Sequence, residues 1–348
     1  MNRRRFLAQA GFLAFAGIAG KINAENKSEL KKSNPFFKTR GIVLTPDDLT
    51  WSDWLERAKK TGITTIGLHY LPETIKYIQT DSGQGFLAQC RKLNLEIEYE
   101  MHAMSELLHR ELFKKSPDMF RMNKEGERIP DCNLCVHSKQ AIEVVCENVT
   151  AIGKILKPTT GRYFFWIDDG KPMCFCPQCR DFSNSDQALI LENHILEALH
   201  TIDLRAQLAH LAYANTLEPP QKVKPNDGVF LEFAPIGSRD KFIPKSDLSW
   251  QKEMNALDGN LKVFPGETAQ VLEYWLDCSM WSHWKGRANA IKIPWDENVF
   301  LADLDFYGSR GICNITTFAV YVDAEYVEKY GEPPVDKYGR GLLDWRQK

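Results

Sequence analysis

Two acids stand side by side in Trp166-Ile167-Asp168-Asp169-Gly170, directly after an apolar run, a pair of the kind that proton transfer uses. Adjacent carboxyls repel when both are charged, so one of them is expected to hold its proton to higher pH. A protonated acid beside an ionised one is the equipment of general acid/base catalysis. Asp169 is the first choice for the acid, with Asp168 as a substrate contact. Further acids recur at alternating positions: Glu96, Glu98 and Glu100 leading to His102, then Glu232 in Leu231-Glu232-Phe233, and Glu273 before Tyr274 and Trp275. Glu273 is the expected base or nucleophile, with Glu232 close behind. His69, Tyr70, Glu100, His102, Tyr213 and Trp275 are the remaining candidate substrate contacts. A turn, an ion pair or core packing would use any one of these residues equally well; their convergence as a set is what points to a site.

Sulfur makes a second cluster. Of nine cysteines, three stand in Cys174-Phe175-Cys176-Pro177-Gln178-Cys179, and two more in Cys132-Asn133-Leu134-Cys135. An odd number excludes complete disulfide pairing within one chain. Cys135, Cys174, Cys176 and Cys179, with Cys132 as an alternative member, fit a four-thiolate structural zinc site. They fit one or two disulfides in an oxidising compartment equally, and the sequence also allows free thiols. In each case the cluster pins the loop that carries Asp169 and takes no part in the chemistry. Val136 after Cys135 rules out a haem-attachment Cys-x-x-Cys-His there. The carboxylate chemistry itself requires no cofactor.

The elements that must position these groups alternate along the chain. Apolar runs at 41–45, 64–70, 95–101, 162–167, 206–212, 228–234, 270–276 and 311–318 read as eight strands. Helical periodicity spans 51–61, 86–93, 139–156 and 186–202. Strands alternating with helices in one uninterrupted segment, 39–348, imply an α/β protein with a single (β/α)8 barrel of the TIM type. Side chains alternate faces along a strand. The polar set of strand three therefore points inward, as do Thr65, Gly67 and His69 on strand two. Phe230, Glu232 and Ala234 are expected to do so on strand six, and Val271, Glu273, Trp275 and Asp277 on strand seven. The C-terminal strand ends, where barrel sites lie, receive the acids and both histidines.

With 43% hydrophobic and 26% charged residues and a formal net charge of −2, the composition is that of a globular protein with no electrostatic reason to bind nucleic acid. Arg3-Arg4-Arg5-Phe6-Leu7, an apolar run to Ala19, and Ala24 read as a secretory signal of the twin-arginine kind over residues 1–24. The run is shorter than the roughly 20 residues a membrane span needs. Residues 25–38 form a polar lead-in, and the expected location is periplasmic or secreted.

Three segments together carry a family resemblance: Ser116 to Arg128 with Cys132 and Cys135-Val136-His137-Ser138; Trp166 to Gly170 leading into Cys174 to Cys179; and Leu211-Ala212-Tyr213 with Pro219-Pro220. They resemble the domain-of-unknown-function family DUF4838 of secreted bacterial proteins, which is similar to alpha-glucuronidases and other carbohydrate-active barrels. The resemblance implies a glycoside hydrolase-type barrel with a carbohydrate substrate, one containing uronic acid among the candidates. It also places Asp169 at the family's Asp-Gly. Hydrolysis of a glycosidic bond by two carboxyls, one donating to the leaving oxygen and one acting on water or the sugar, is the chemistry that follows. For an acidic sugar, Arg310 or Lys171 is the expected partner. A carbohydrate-binding barrel without turnover, and a metal or redox protein built on the cysteines, are the alternative readings.

Overall fold

The computed structural model describes residues 34–237 and 248–347. The expected signal at 1–24 and the start of the expected lead-in lie outside the described residues. Eight parallel strands close into a barrel in chain order: β1 (Thr39–Leu44), β2 (Thr65–Leu68), β3 (Glu96–His102), β4 (Arg162–Trp166), β5 (Gln207–Ala212), β6 (Val229–Phe233), β7 (Gln270–Glu273) and β8 (Asn314–Phe318). Thr39 pairs with Asn314 and Val43 with Phe318, which closes the ring. The expected (β/α)8 architecture is the observed one.

Around the strands run α1 (Trp54–Thr61), α2 (Leu71–Ile78), α3 (Asp81–Leu93), the single turn α4 (Met104–Leu107), α5 (Lys139–Ile155) and α6 (Asn184–His200). They are followed by α7 (Leu248–Asn260), the single turn α8 (Cys278–Trp281), α9 (Glu297–Ser309), α10 (Ala324–Tyr330) and α11 (Val335–Asp344). No helix described is long and apolar enough to cross a membrane.

The link from β5 to β6 carries no α-helix, only a 3₁₀ turn at Ala214–Thr216. Pro219, Pro220 and Pro225 remove backbone donors a helix would need there. Asp186 replaces the missing ladder. Its carboxylate, buried in the first turn of α6, accepts from three successive backbone N–H groups, Gln221 (2.9 Å), Lys222 (2.8 Å) and Val223 (2.9 Å).

Face alternation holds on β2, β3, β4 and β6. Glu98, Glu100 and Glu232 meet inside the barrel with a single guanidinium, Arg162, which lies 3.7 Å over the Phe230 ring. Burial drives all three acids up, and for Glu100 the neighbouring Glu232 and Glu98 add to it. One cation facing three carboxyls keeps the cluster near neutrality only if the acids hold protons. Gly67 makes the room: a Cβ there would sit 2.8 Å from Glu100 Oε1 and 3.0 Å from Val43 Cγ2.

On β7 the expected parity is reversed. Gln270 faces inward and donates to Glu232 Oε1 (3.3 Å), while Glu273 and Trp275 face the helix layer. Glu273 accepts from the Tyr307 hydroxyl (2.5 Å), and the Trp275 indole donates to Asp303 (3.2 Å), both partners lying on α9. A four-residue strand puts only two side chains on each face. Glu273 satisfies its carboxylate with a tyrosine from outside the barrel, so its charge no longer requires the mouth.

Candidate active site

At the C-terminal end of the barrel opens a cavity of about 570 Å³, within the range of small-molecule sites. Its walls are aromatic. Trp166 lies at the end of β4, Tyr70 follows β2, Tyr213 follows β5, Tyr274 follows β7, and Trp284 comes from the loop beyond α8. Tyr70 and Trp284 are the open pair, 49% and 57% exposed. Both adopt a left-handed backbone, with φ of 68° and 52°. Of the seven described non-glycine residues with positive φ, six lie in loops on this side of the barrel and only Asn94 does not. Backbone held in that region costs energy and gathers where side chains must be aimed.

Two histidines stand between the walls in matching arrangements. His69 Nδ1 is 2.6 Å from the Glu100 carbonyl, and His102 Nδ1 is 2.5 Å from the Ile167 carbonyl. A ring nitrogen facing a carbonyl must donate, so each proton sits on Nδ1 and each Nε2 keeps its lone pair. Burial lowers both histidines, His69 to about 4, and they are neutral near pH 7. His102 Nε2 lies 4.0 Å from Asp169 Oδ1.

Four acids line the cavity, and they are differently placed. Asp131 is spent on Arg121 (2.8 Å). Asp168 is held by the Asn133 N–H (2.6 Å) and Arg110 (3.1 Å), so it fixes the loop and makes no acid pair with Asp169. Asp169 is the open carboxyl, its side chain 62% exposed, with the Tyr213 hydroxyl against it. Asp277 is the closed one, 3% exposed, its Oδ1 bonded by the Ser279 N–H (3.0 Å) and hydroxyl (2.6 Å) at the start of α8. Burial pushes Asp277 up to about 7. Tyr274 lines the same cavity, and burial drives its hydroxyl far up, with Tyr213, Asp277 and Asp169 adding to the effect.

Of the residues singled out in the sequence, His69, Tyr70, His102, Asp168, Asp169, Tyr213, Trp166 and Lys171 share this cavity. Glu100 and Glu232 do not reach it. Glu232 accepts from the Trp166 indole (2.7 Å), so it supports the floor from below. Glu273 and Trp275 lie behind the wall. Arg310 pairs with Asp258 (2.6 Å) after α9, at the far end of the barrel. Sequence reading passed over Asp277, Tyr274 and Trp284 as site residues. The signals available for Asp277 were the alternation that already placed it inward and Asp277-Cys278-Ser279, an acid two residues before a hydroxyl, which is an N-cap pattern.

Four thiols gather among the loops that follow β3 and β4. The Sγ atoms of Cys135, Cys174, Cys176 and Cys179 all lie within 4.8 Å of one another, and no disulfide joins them.

Fold and site define a (β/α)8 barrel with an aromatic, carboxylate-bearing cavity at its C-terminal face. Residues 25–263 match the family model described as Domain of unknown function (DUF4838), and the chain belongs to that family. No curated protein matches the sequence. Among solved structures it is similar to a beta-N-acetylhexosaminidase from Bacteroides fragilis (TM-score 0.57, 10% identity), with 89% of this chain covered. The chain spans 66% of the length of that enzyme. It is also similar to endo-glycoceramidase II from Rhodococcus sp. (TM-score 0.50, 9% identity), over 81% of this chain and 73% of that one. At such identities the likeness is one of fold.

Proposed function

We propose that the protein is an exported glycoside hydrolase in which Asp277 donates a proton to the leaving oxygen and Asp169 acts as base or nucleophile. The observation that carries this reading is the contrast between the two acids in one cavity. Asp277 is buried and protonated up to about pH 7, whereas Asp169 is open to solvent. Two carboxyls whose surroundings separate their roles are what glycosidic cleavage uses. The roles are reassigned from the sequence expectation because burial, not adjacency to a second acid, keeps a carboxyl protonated.

In this mechanism the Tyr213 hydroxyl orients the Asp169 carboxylate, and Trp284 and Tyr70 offer flat faces to a sugar ring. The hexosaminidase and glycoceramidase barrels support carbohydrate as the substrate class. Asp131 is paired with Arg121, Asp168 with Arg110, and Asp277 holds its proton, which leaves Asp169 against Lys171, so charge admits a neutral or a uronic sugar. Export rests on the twin-arginine-type sequence at 1–24. The test is release of aglycone from aryl glycosides, neutral and uronic, by the mature chain beside Asp169→Asn and Asp277→Asn. Turnover by the native chain that both substitutions abolish supports the reading. Sugar binding without turnover would replace it with a carbohydrate-binding protein.

A further inference from the structure

We propose that Cys135, Cys174, Cys176 and Cys179 bind one Zn²⁺ ion as a four-thiolate site that locks the β3–α5 loop to the β4–α6 loop. A tetrahedral ion with Zn–S bonds of about 2.3 Å separates its sulfurs by roughly 3.8 Å. Cys135 Sγ lies 3.7 Å from Cys176 Sγ and 3.8 Å from Cys179 Sγ, and the whole set falls within 4.8 Å. A disulfide would need about 2.05 Å.

The surroundings suit thiolates. The Met122 N–H (3.3 Å), the Cys176 N–H (3.5 Å) and the Arg128 guanidinium (3.7 Å) are directed at Cys174 Sγ. His137 Nδ1 lies 3.2 Å from Cys179 Sγ. Four thiolates on a dication leave two negative charges, and donors of this kind are what stabilise them and orient the ligands. Cys176 and Cys179 sit on one tight turn, in which the Cys179 and Arg180 N–H groups both donate to the Cys176 carbonyl (2.9 and 3.0 Å). Cys135 comes from a different loop, more than 40 residues earlier.

That long connection is what the metal would secure. Cys135 follows Asn133, whose backbone and side chain bond Asp168 in both directions (2.6 and 2.9 Å). Asp168 in turn precedes Asp169 at the cavity rim. The ion would therefore hold one wall of the cavity, whatever that cavity turns over.

Metal analysis of the full chain, purified without a chelating tag, is the test. One zinc per chain is expected, released stoichiometrically when a mercurial titrates the thiols. Replacement by Co²⁺ should give thiolate-to-cobalt charge-transfer absorption and the intense visible bands of a tetrahedral site. Cys135→Ser should lose both the metal and that spectrum; because it can also fail to fold, the mercurial and cobalt measurements on the unaltered chain decide. Zinc-free protein that takes up none after reduction and reconstitution overturns the proposal. So does a different resident metal, or an intact mass short of hydrogens because these four cysteines are oxidised.

Discussion

Asp277→Asn should change how stability depends on pH. Asp277 is 3% exposed and ionises at about 7 in place of the usual 3.8, because burial penalises its charge and the Ser279 bonds offset that only in part. A carboxyl that ionises about three pH units late carries roughly 4 kcal/mol against its charged form. Its folded-state value is raised, so between about pH 4 and 7 the folded protein holds the proton more tightly than the unfolded chain does. The support Asp277 gives to folding is therefore complete below about pH 4 and lost as pH rises through about 7. Asparagine keeps an acceptor for the α8 cap but cannot ionise. Urea unfolding of both proteins from about pH 4 to pH 8 reads the difference directly, and titration of Glu98, Glu100 and Glu232 largely cancels because both proteins share them. The unfolding free energy of the variant should gain on the native chain by up to roughly 4 kcal/mol across that interval. A difference constant to within about 0.5 kcal/mol would mean that Asp277 is ionised in the folded protein, and the proton-donor role would fall with it.

Three further expectations follow from the packing. Glu232→Ala leaves the Trp166 indole without its acceptor and should cost about 1–3 kcal/mol in urea unfolding, whereas Glu232→Gln, which still accepts, should cost less. Gly67→Ala drives a Cβ against Glu100 and Val43 inside the barrel and should destabilise by about 1–3 kcal/mol, read as a lower unfolding midpoint. Trp284→Ala removes an exposed ring from the cavity wall; in steady-state kinetics KM should rise several-fold with kcat nearly unchanged, since a stacking face binds ground and transition states alike.

Much of this was legible in the sequence, because a barrel repeats one rule eight times. Alternation on β3 correctly sent Glu98 and Glu100 inward, and clustering in the chain correctly grouped Cys135 with Cys174, Cys176 and Cys179. The same rule failed on β7. There Gln270, Leu272 and Tyr274 compete with Val271, Glu273 and Trp275, and polarity alone favours sending the acid inward. What reverses the choice is Tyr307, 34 residues away on α9, which no local pattern reveals. Asp277, placed inward by the sequence, was given no role for a related reason. Its chemistry comes from burial in a loop, and burial of a single loop acid is set by the wall around it, not by its neighbours in the chain. Glu232 shows the converse: rightly placed inside the barrel, it was assigned to catalysis because sequence cannot tell the floor of a cavity from what lies beneath.

Cleavage of two aryl glycosides of the same sugar, one with a good leaving group and one with a poor one, tests the assignment of the two acids most directly. A general acid contributes about 10²–10⁴-fold and matters most when the departing oxygen must be protonated. Asp277→Asn should therefore lose most of its rate on the poor leaving group and little on the good one, while Asp169→Asn loses both. Equal losses for both substrates in Asp277→Asn, or undiminished turnover in Asp169→Asn, would contradict the proposed roles.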